Sequence, residues 1–228
     1  MKILAIETAT VTGSIAILDD LEGLVGEVRT DVKIVHAERL MPSVEWLLKS
    51  SMVPVEEIDA FAVSIGPGSF TGLRIGLSTA KGFAYASGKP VVPVPTLDAF
   101  ARTLPFCSLM ICPMLDARKN EVYAALYKWR DGSLEKILPE TAINPLDLIK
   151  EINEPVVFMG EGTRKYRSLI TEALHEKALF APASRMTPSA AAVAEIALEK
   201  IREGAAADTA GLVPFYIRRS EAEVRWKG

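Results

Sequence analysis

The sequence predicts an α/β protein made of two lobes with related topology. A strand–turn–strand–turn–strand pattern opens the chain at Met1 and is repeated from Leu109 onward. Segments with helical periodicity follow both sets of strands. Nearly half of the 228 residues are hydrophobic, so the chain can fill a core in each lobe. We therefore expect an N-terminal lobe over residues 1–104 and a C-terminal lobe over residues 105–228.

The first lobe opens with antiparallel strands, which we predict over residues 3–7, 14–18 and 24–30. A dinucleotide-binding domain would instead place a helix directly after its first strand, so this opening argues against that fold. The remaining predicted elements of this lobe are helices at 36–50, 70–86 and 96–102 and strands at 59–65 and 90–94.

The second lobe repeats this opening, with strands predicted over residues 109–115, 121–129 and 134–138. The remaining predicted elements are helices at 145–152, 164–176 and 188–202 and a strand at 155–159. Residues 203–209 are expected to form a small-residue linker, and the tail 216–228 is expected to be loose.

Charge and composition exclude several classes of protein. The net charge of −3 excludes a polycation built to grip nucleic acid, although it is compatible with a local basic patch. Cys107 and Cys112 lie in an apolar run, where we expect buried free thiols. The apolar opening ends at Glu7, which argues against a signal peptide, and the longest apolar runs are shorter than the roughly 18 to 20 residues of a membrane helix. We expect a cytoplasmic protein.

The turn after the first strand is rich in hydroxyl groups. Its sequence is Glu7-Thr8-Ala9-Thr10-Val11-Thr12-Gly13-Ser14. Such a turn can hold a phosphate through backbone N–H groups and hydroxyls, with an acid nearby for Mg²⁺. It can equally be a hairpin whose threonines hydrogen-bond their own backbone. The candidates for nucleotide binding are Glu7, Thr8, Thr10 and Ser14, together with Asp116 in the second lobe.

A second motif follows the strand at 59–65, where Gly66-Pro67-Gly68 leads into a helix. Ser69 or Thr71 can cap this helix, whose N-terminus favours anions. No Lys-Ser or Lys-Thr follows the glycines, so the spacing is not that of a P-loop.

Small residues recur every four positions along this helix, at Gly72, Gly76, Ala80 and Ala84. Because Gly lowers helix stability relative to Ala, its repeated use indicates that another backbone comes close. Two interpretations remain open, namely packing on the lobe's own sheet and packing against a helix of another protein.

Four stretches carry a family resemblance: MKILAIETAT at 1–10, HAE at 36–38, GPGSFTGLRIG at 66–76 and DARKNEVY at 116–123. In this order they resemble the bacterial TsaB (YeaZ) family, and residues 214–218 also fit. The glycine stretch is shared with the related catalytic TsaD family, whereas the stretch at 116–123 and the short chain point to TsaB.

The resemblance implies an actin-like fold, of the sugar kinase and Hsp70 type, and a role in making threonylcarbamoyladenosine on tRNA. In that system TsaD transfers the threonylcarbamoyl group from an adenylate to tRNAs that read codons beginning with adenine. TsaB binds and supports TsaD, together with the ATPase TsaE. The resemblance further implies a heterodimer with TsaD, a homodimer when the chain is alone, indirect contact with tRNA and no membrane.

The resemblance also shows what is missing. TsaD-like proteins carry two metal-binding histidines four positions apart, and the matching positions here hold Thr96 and Phe100. His36 and His175 are the two histidines of the chain, so no such pair can form. We therefore expect no metal site and no catalytic residue.

The turn after the first strand of the second lobe carries Asp116 but no glycine, so we expect no cofactor of its own and leave open ATP or ADP at a subunit junction. Arg118 and Lys119 in this turn are either solvated or contact a phosphate or a partner's acid. Gly160-Glu161-Gly162 is a weak candidate for an adenine-side turn.

We expect the partner to bind at the helices over 36–50 and 70–86. The predicted interface residues are His36, Leu40, Met41, Val44, Leu47, Leu48, Gly72, Arg74, Gly76 and Ala80. The rival functions are a small-molecule kinase of the same fold and a metal-dependent glycoprotease. The absence of glycine from the second-lobe turn at Asp116 argues against the kinase, and the missing histidine pair argues against the glycoprotease.

Overall fold

The computed structural model describes residues 1–31, 36–204 and 211–218. The first part of the chain forms β1 (Lys2–Glu7), β2 (Thr12–Asp19), β3 (Gly23–Asp31), α1 (His36–Ser50), β4 (Ala60–Gly66), α2 (Phe70–Ser87), β5 (Val91–Pro95) and α3 (Thr96–Arg102). The second part forms β6 (Met110–Arg118), β7 (Glu121–Arg130), β8 (Ser133–Ile143), α4 (Pro145–Lys150), β9 (Val156–Met159), α5 (Glu161–Leu174), β10 (Ala178–Phe180) and α6 (Ala190–Arg202).

The two sheets have the same topology. The first has the strand order β3-β2-β1-β4-β5, and the second has the order β8-β7-β6-β9-β10. In each sheet the first strand lies in the centre, antiparallel to the strand that follows it and parallel to the fourth strand. The repetition predicted from the two strand–turn–strand–turn–strand patterns is therefore present in the fold.

Helices cover both faces of the first sheet. Leu4 and Ile6 of β1 face α1 and α2, whereas Ile3 and Ala5 face α6. All four side chains are fully buried, which explains why β1 is an unbroken apolar run instead of an alternating one.

Contacts divide the chain into two units, and the division differs from the predicted lobes in two segments, residues 100–104 and the stretch that contains α6. The first unit comprises Met1–Ala99 and Pro188–Phe215, and the second comprises Phe100–Thr187 with residues 216–218. The structure thus moves α6 from the predicted C-terminal lobe to the first unit. The reason is packing, because the alanine-rich face of α6 is buried against the first sheet. Most of the predicted linker (205–209) and tail (219–228) lies outside the described residues.

The second unit has its own core on one face of its sheet, where α4 and α5 pack through Leu148 and Ile170. Cys112 lies in this core as a fully buried free thiol, as predicted, and burial raises its pKa. Cys107 is also free but only partly buried. Within the described ranges, no helix is long and apolar enough to span a membrane.

Candidate functional site

The side chain of Glu7 fixes the turn between β1 and β2, which we call the first turn (residues 7–14). This side chain is fully buried at the end of β1. One carboxylate oxygen accepts a hydrogen bond from the backbone N–H of Ala9 at 2.5 Å, and the other accepts from the hydroxyl of Ser64 on β4. Because β1 and β4 are neighbouring parallel strands, their carboxyl ends meet at the same edge, and the carboxylate joins the turn to that edge.

Burial raises the pKa of Glu7 to about 7, because desolvation disfavours the charged form. The hydrogen bonds from Ser64 and Ala9 and the charge of Arg29 act in the opposite direction and lower the pKa. The carboxyl group therefore changes its protonation close to neutral pH.

The hydroxyl groups of the turn bond to the protein itself. Thr8 Oγ1 donates to the carbonyl of Gly72 at 2.8 Å, and Thr10 Oγ1 donates to the carbonyl of Thr12 at 3.1 Å. Ser14 Oγ accepts from the N–H of Ala190, the first residue of α6, at 2.8 Å. The structure thus brings Glu7, Thr8, Thr10 and Ser14 together. Thr10 bonds to the backbone of the turn itself, whereas Thr8 and Ser14 bond to the backbone of α2 and α6.

Gly72 and Gly76 of α2 are required by the close approach of this turn. A Cβ atom at Gly72 would overlap the carbonyl oxygen of Thr8, and one at Gly76 would overlap Thr8 Oγ1. Gly68, before the helix, lies against the carbonyl of Ala9 in the same way. The nearby backbone that the small-residue stripe indicated is the chain's own first turn.

The stripe is therefore not a surface for another protein. Ala80 and Ala84 continue it into the core between α2 and the first sheet. The predicted partner-interface role of Gly72, Gly76 and Ala80 is corrected accordingly: these residues pack inside the first unit.

Ser69, one of the two predicted candidates, caps α2. Its hydroxyl accepts from the N–H of Gly72 at 3.3 Å, and its own N–H donates to the carbonyl of Ala9 at 2.7 Å. The cap and the first turn are thus bonded directly to each other.

Three of the predicted apolar anchors on α1 are also core residues. Leu40, Val44 and Leu47 are buried against the first sheet, because they form the inward stripe of the helix. Met41 is exposed and Leu48 is half-buried. The side chain of His36 lies outside what the structure describes.

The outer side of α1 borders a groove of about 340 Å³ beside the edge strand β3. The groove is lined by Val28, Glu38, Arg39, Pro42, Ser43 and Trp46. A smaller cavity of about 20 Å³, room for roughly one water molecule, lies between this region and the first turn. Arg74 of α2 is exposed, and its guanidinium lies 3.8 Å from the ring centroid of Phe70.

The positions that match metal ligands are structural. Thr96 Oγ1 accepts a hydrogen bond from the backbone N–H of Gly66 at 3.1 Å, and both Thr96 and Phe100 are fully buried. Among the residues that the structure describes, no three His, Cys, Asp or Glu side chains are grouped so that they could hold a metal ion.

The second unit holds the remaining candidates. Asp116 Oδ1 accepts from the N–H of Arg118 at 3.0 Å and from Lys165 Nζ at 3.1 Å. Gly160 and Gly162 lie against the backbone of Met114, so this Gly-x-Gly is explained by close packing of α5 on β6.

Two residues of the first unit that make buried or partly buried hydrogen bonds, Ser64 and Glu27, were not predicted from the sequence. Ser64 could have been found, because it ends a strand parallel to the one that ends at Glu7. Glu27 accepts hydrogen bonds from the Ser189 hydroxyl at 2.7 Å and the Ala191 N–H at 3.4 Å, and thereby caps α6. No local signal links these residues, because they are far apart in the sequence.

Comparisons with known proteins show which proteins the chain resembles. A family model described as tRNA N6-adenosine threonylcarbamoyltransferase (TsaD) matches residues 19–226 of the chain. The tRNA threonylcarbamoyladenosine biosynthesis protein TsaB of Bacillus subtilis is 34% identical over 99% of this chain and 98% of its own length. The protein of the same name from Escherichia coli is 29% identical over 100% of this chain and 97% of its own.

Solved structures give the fold. YeaZ from Pseudomonas aeruginosa has a TM-score of 0.78 at 25% identity and covers 94% of this chain and 100% of its own. The activator of the 2-hydroxyisocaproyl-CoA dehydratase from Clostridium difficile, solved with bound ADPNP, has a TM-score of 0.53 at 12% identity, covering 90% of this chain and 97% of its own. The second likeness shows the fold alone, which is that of the actin-like ATPases. The predicted fold class is confirmed.

Proposed function

The chain belongs to the TsaB (YeaZ) family, and from this premise we propose that it is a non-catalytic subunit required to form threonylcarbamoyladenosine on tRNA. It binds its catalytic homologue TsaD as a heterodimer and acts with the ATPase TsaE, in the cytoplasm, on tRNAs that read codons beginning with adenine. Alone it forms a homodimer. The observation that carries the proposal is the similarity to TsaB proteins over the full length of the chain.

The first turn supports a role without chemistry of its own. The carboxylate of Glu7 and the hydroxyl of Thr8 bond to neighbouring groups of the same unit. The adjoining cavity of about 20 Å³ holds roughly one water molecule, far less than a nucleotide needs. In this proposal the chain holds no cofactor of its own.

The binding surface for the partner is the outward side of α1 and α2. These helices lie on the same face of the first sheet, and they leave Met41, Trp46 and Tyr85 exposed. Aromatic and Met side chains are enriched at the centres of protein interfaces, where they supply apolar area. In this proposal the interface consists of these three residues and Arg74. The buried residues that were predicted from the sequence are not part of it.

A reconstituted reaction tests the proposal. It contains the catalytic homologue, the ATPase, the threonylcarbamoyl adenylate and tRNA, with and without this chain. We expect omission of the chain to abolish product formation, and the chain alone to show background ATP hydrolysis with Mg²⁺. Equal product without the chain, or ATP turnover that follows the chain through purification, would show that the proposal is wrong.

A further inference from the structure

The turn between β6 and β7 has an unusual backbone. Arg118 and Glu121 are paired across the hairpin, so Lys119 and Asn120 form a two-residue loop. Arg118, Lys119 and Asn120 have φ angles of +59°, +48° and +60°. The strand register also shifts between Asp116 and Arg118, which marks a bulge directly before the loop.

These backbone angles are typical of glycine. Two-residue hairpin loops favour Asn-Gly or Gly-Gly because both central residues need positive φ, and a bulge of this kind usually carries Gly. Asn tolerates the left-handed region, whereas long side chains such as those of Arg and Lys are unfavourable there. The turn lacks glycine but still has the positive φ angles that glycine usually provides. Two cationic residues, Arg118 and Lys119, therefore adopt a backbone conformation that is more common for glycine.

The turn is held in place by the acid before it. Asp116 accepts from the N–H of Arg118 and from Lys165 Nζ, which fixes the bulge and brings a third cation to the turn. The other acid of the hairpin end, Glu121, forms an ion pair with Arg218. The exposed side chains of Arg118 and Lys119 thus lie beside two further cations, Lys165 and Arg218, each of which pairs with an acid of the hairpin end.

The turn is exposed and polar. Arg118, Lys119 and Asn120 are all exposed and polar. Lys is depleted in protein interfaces, whereas Arg is enriched there. Arg, Lys and Asn are among the side chains that contact phosphate and sugar in nucleic acids. Because the whole chain carries a net charge of −3, RNA contact by this protein has to be local, and this turn presents two exposed cationic side chains.

We propose that Arg118 and Lys119 contact phosphates of the tRNA, held by the strained turn in a fixed position. The inference rests on the proposed function for the identity of the RNA. It goes beyond the expectation that tRNA is contacted only through the rest of the complex.

The test replaces both residues by glycine, which removes the charges and suits the backbone. The double variant Arg118→Gly/Lys119→Gly should have a melting temperature equal to or above that of the original protein, because positive φ is unstrained in glycine. Labelled tRNA is titrated with the complex of this chain and its catalytic homologue at several salt concentrations. We expect affinity to fall at least tenfold at low salt, and the slope of log K against log[salt] to lose about 0.7–0.9 for each phosphate contact.

A matched control is Lys177→Ala/Arg185→Ala, which removes two exposed cations of the same unit outside the turn. It should leave affinity and slope unchanged. The proposal is overturned by an unchanged slope in the glycine variant, by an equal loss in the control, or by loss of assembly with the catalytic homologue, since the last result would assign the turn to a protein partner. If the chain proves dispensable for product formation, titration of tRNA with the full chain alone still decides whether the turn binds RNA.

Discussion

The carboxylate of Glu7 accepts a hydrogen bond from the hydroxyl of Ser64, and this contact joins the ends of β1 and β4 inside the first unit. The same carboxylate holds the N–H of Ala9 in the first turn. A single titratable group therefore links the sheet to the turn that α2 packs against. Its protonation should be measurable in the stability of the fold.

We expect stability to fall between about pH 4.5 and pH 7. Burial raises the pKa of Glu7 from its ordinary value of 4.5 to about 7, so the folded protein holds the proton more tightly than the unfolded chain. This contribution is complete below pH 4.5 and is lost as the pH rises through 7. The loss amounts to about 3 kcal/mol, since one pKa unit corresponds to about 1.4 kcal/mol.

Urea unfolding at pH 5 and pH 8 measures this effect against Glu7→Gln. The amide is close to the carboxyl in shape and does not titrate. Its carbonyl can accept from Ala9, and its NH₂ can donate to Ser64. The variant should lack the Glu7 part of the pH dependence. An identical pH dependence in both proteins would contradict the assignment of the titration to Glu7.

Two glycines of α2 should respond in opposite ways to alanine. A Cβ atom at Gly72 would overlap the backbone of Thr8, so Gly72→Ala should destabilise the fold by about 1–3 kcal/mol. A Cβ atom at Gly82 meets nothing within 4 Å, and Gly82→Ala should stabilise by about 0.5–1 kcal/mol through helix propensity. Chemical unfolding of both variants measures the difference. A fully stable Gly72→Ala protein that loses only its partner would restore the interface interpretation of the stripe.

Thr96 should matter for stability and not for chemistry. Replacing it by Val keeps its shape and removes the acceptor for the buried N–H of Gly66. An unsatisfied buried donor costs about 1–3 kcal/mol. Thr96→Ser keeps the hydroxyl and is the control. Unfolding free energies should separate the two variants, while product formation per folded molecule stays equal to that of the original protein in both. A specific loss of product in a folded Thr96→Val protein would assign the residue a role in the reaction.

Much of this fold could be predicted from the sequence, because the strands and helices have clear periodicities. The repeated opening from Met1 and Leu109 predicted the common topology of the two sheets. The position of α6 could not be predicted, since an alanine-rich helical face does not reveal which sheet it covers. Glu27 was missed for a related reason, because its contact with Ser189 joins residues far apart in the chain.

The sequence identified residues of the candidate site, but it did not show which side chains of α1 face the core and which face outward. Glu7 and Thr8 were recognised, and the structure places them together. On α1, by contrast, Leu47 was expected at the surface although it lies in the core. Helical spacing identifies one apolar stripe, and that stripe normally faces the protein's own core. Trp46 is a large apolar residue on the exposed side of the helix, and the proposed partner surface is based on such exposed residues.

Adjacent residues of α1 therefore provide the sharpest test of the partner surface. Trp46 is 60% exposed, whereas Leu47 is 3% exposed and packs on the first sheet. Leu47→Glu places an unpaired charge in the core, at a cost of several kcal/mol, and should unfold the first unit. Trp46→Glu should remain folded by circular dichroism and lose association with the catalytic homologue in light scattering, together with product formation. Leu146→Glu changes an exposed residue of the second unit and should leave both assembly and product unchanged. If Trp46→Glu assembles as well as the original protein, the partner does not bind at this side of α1.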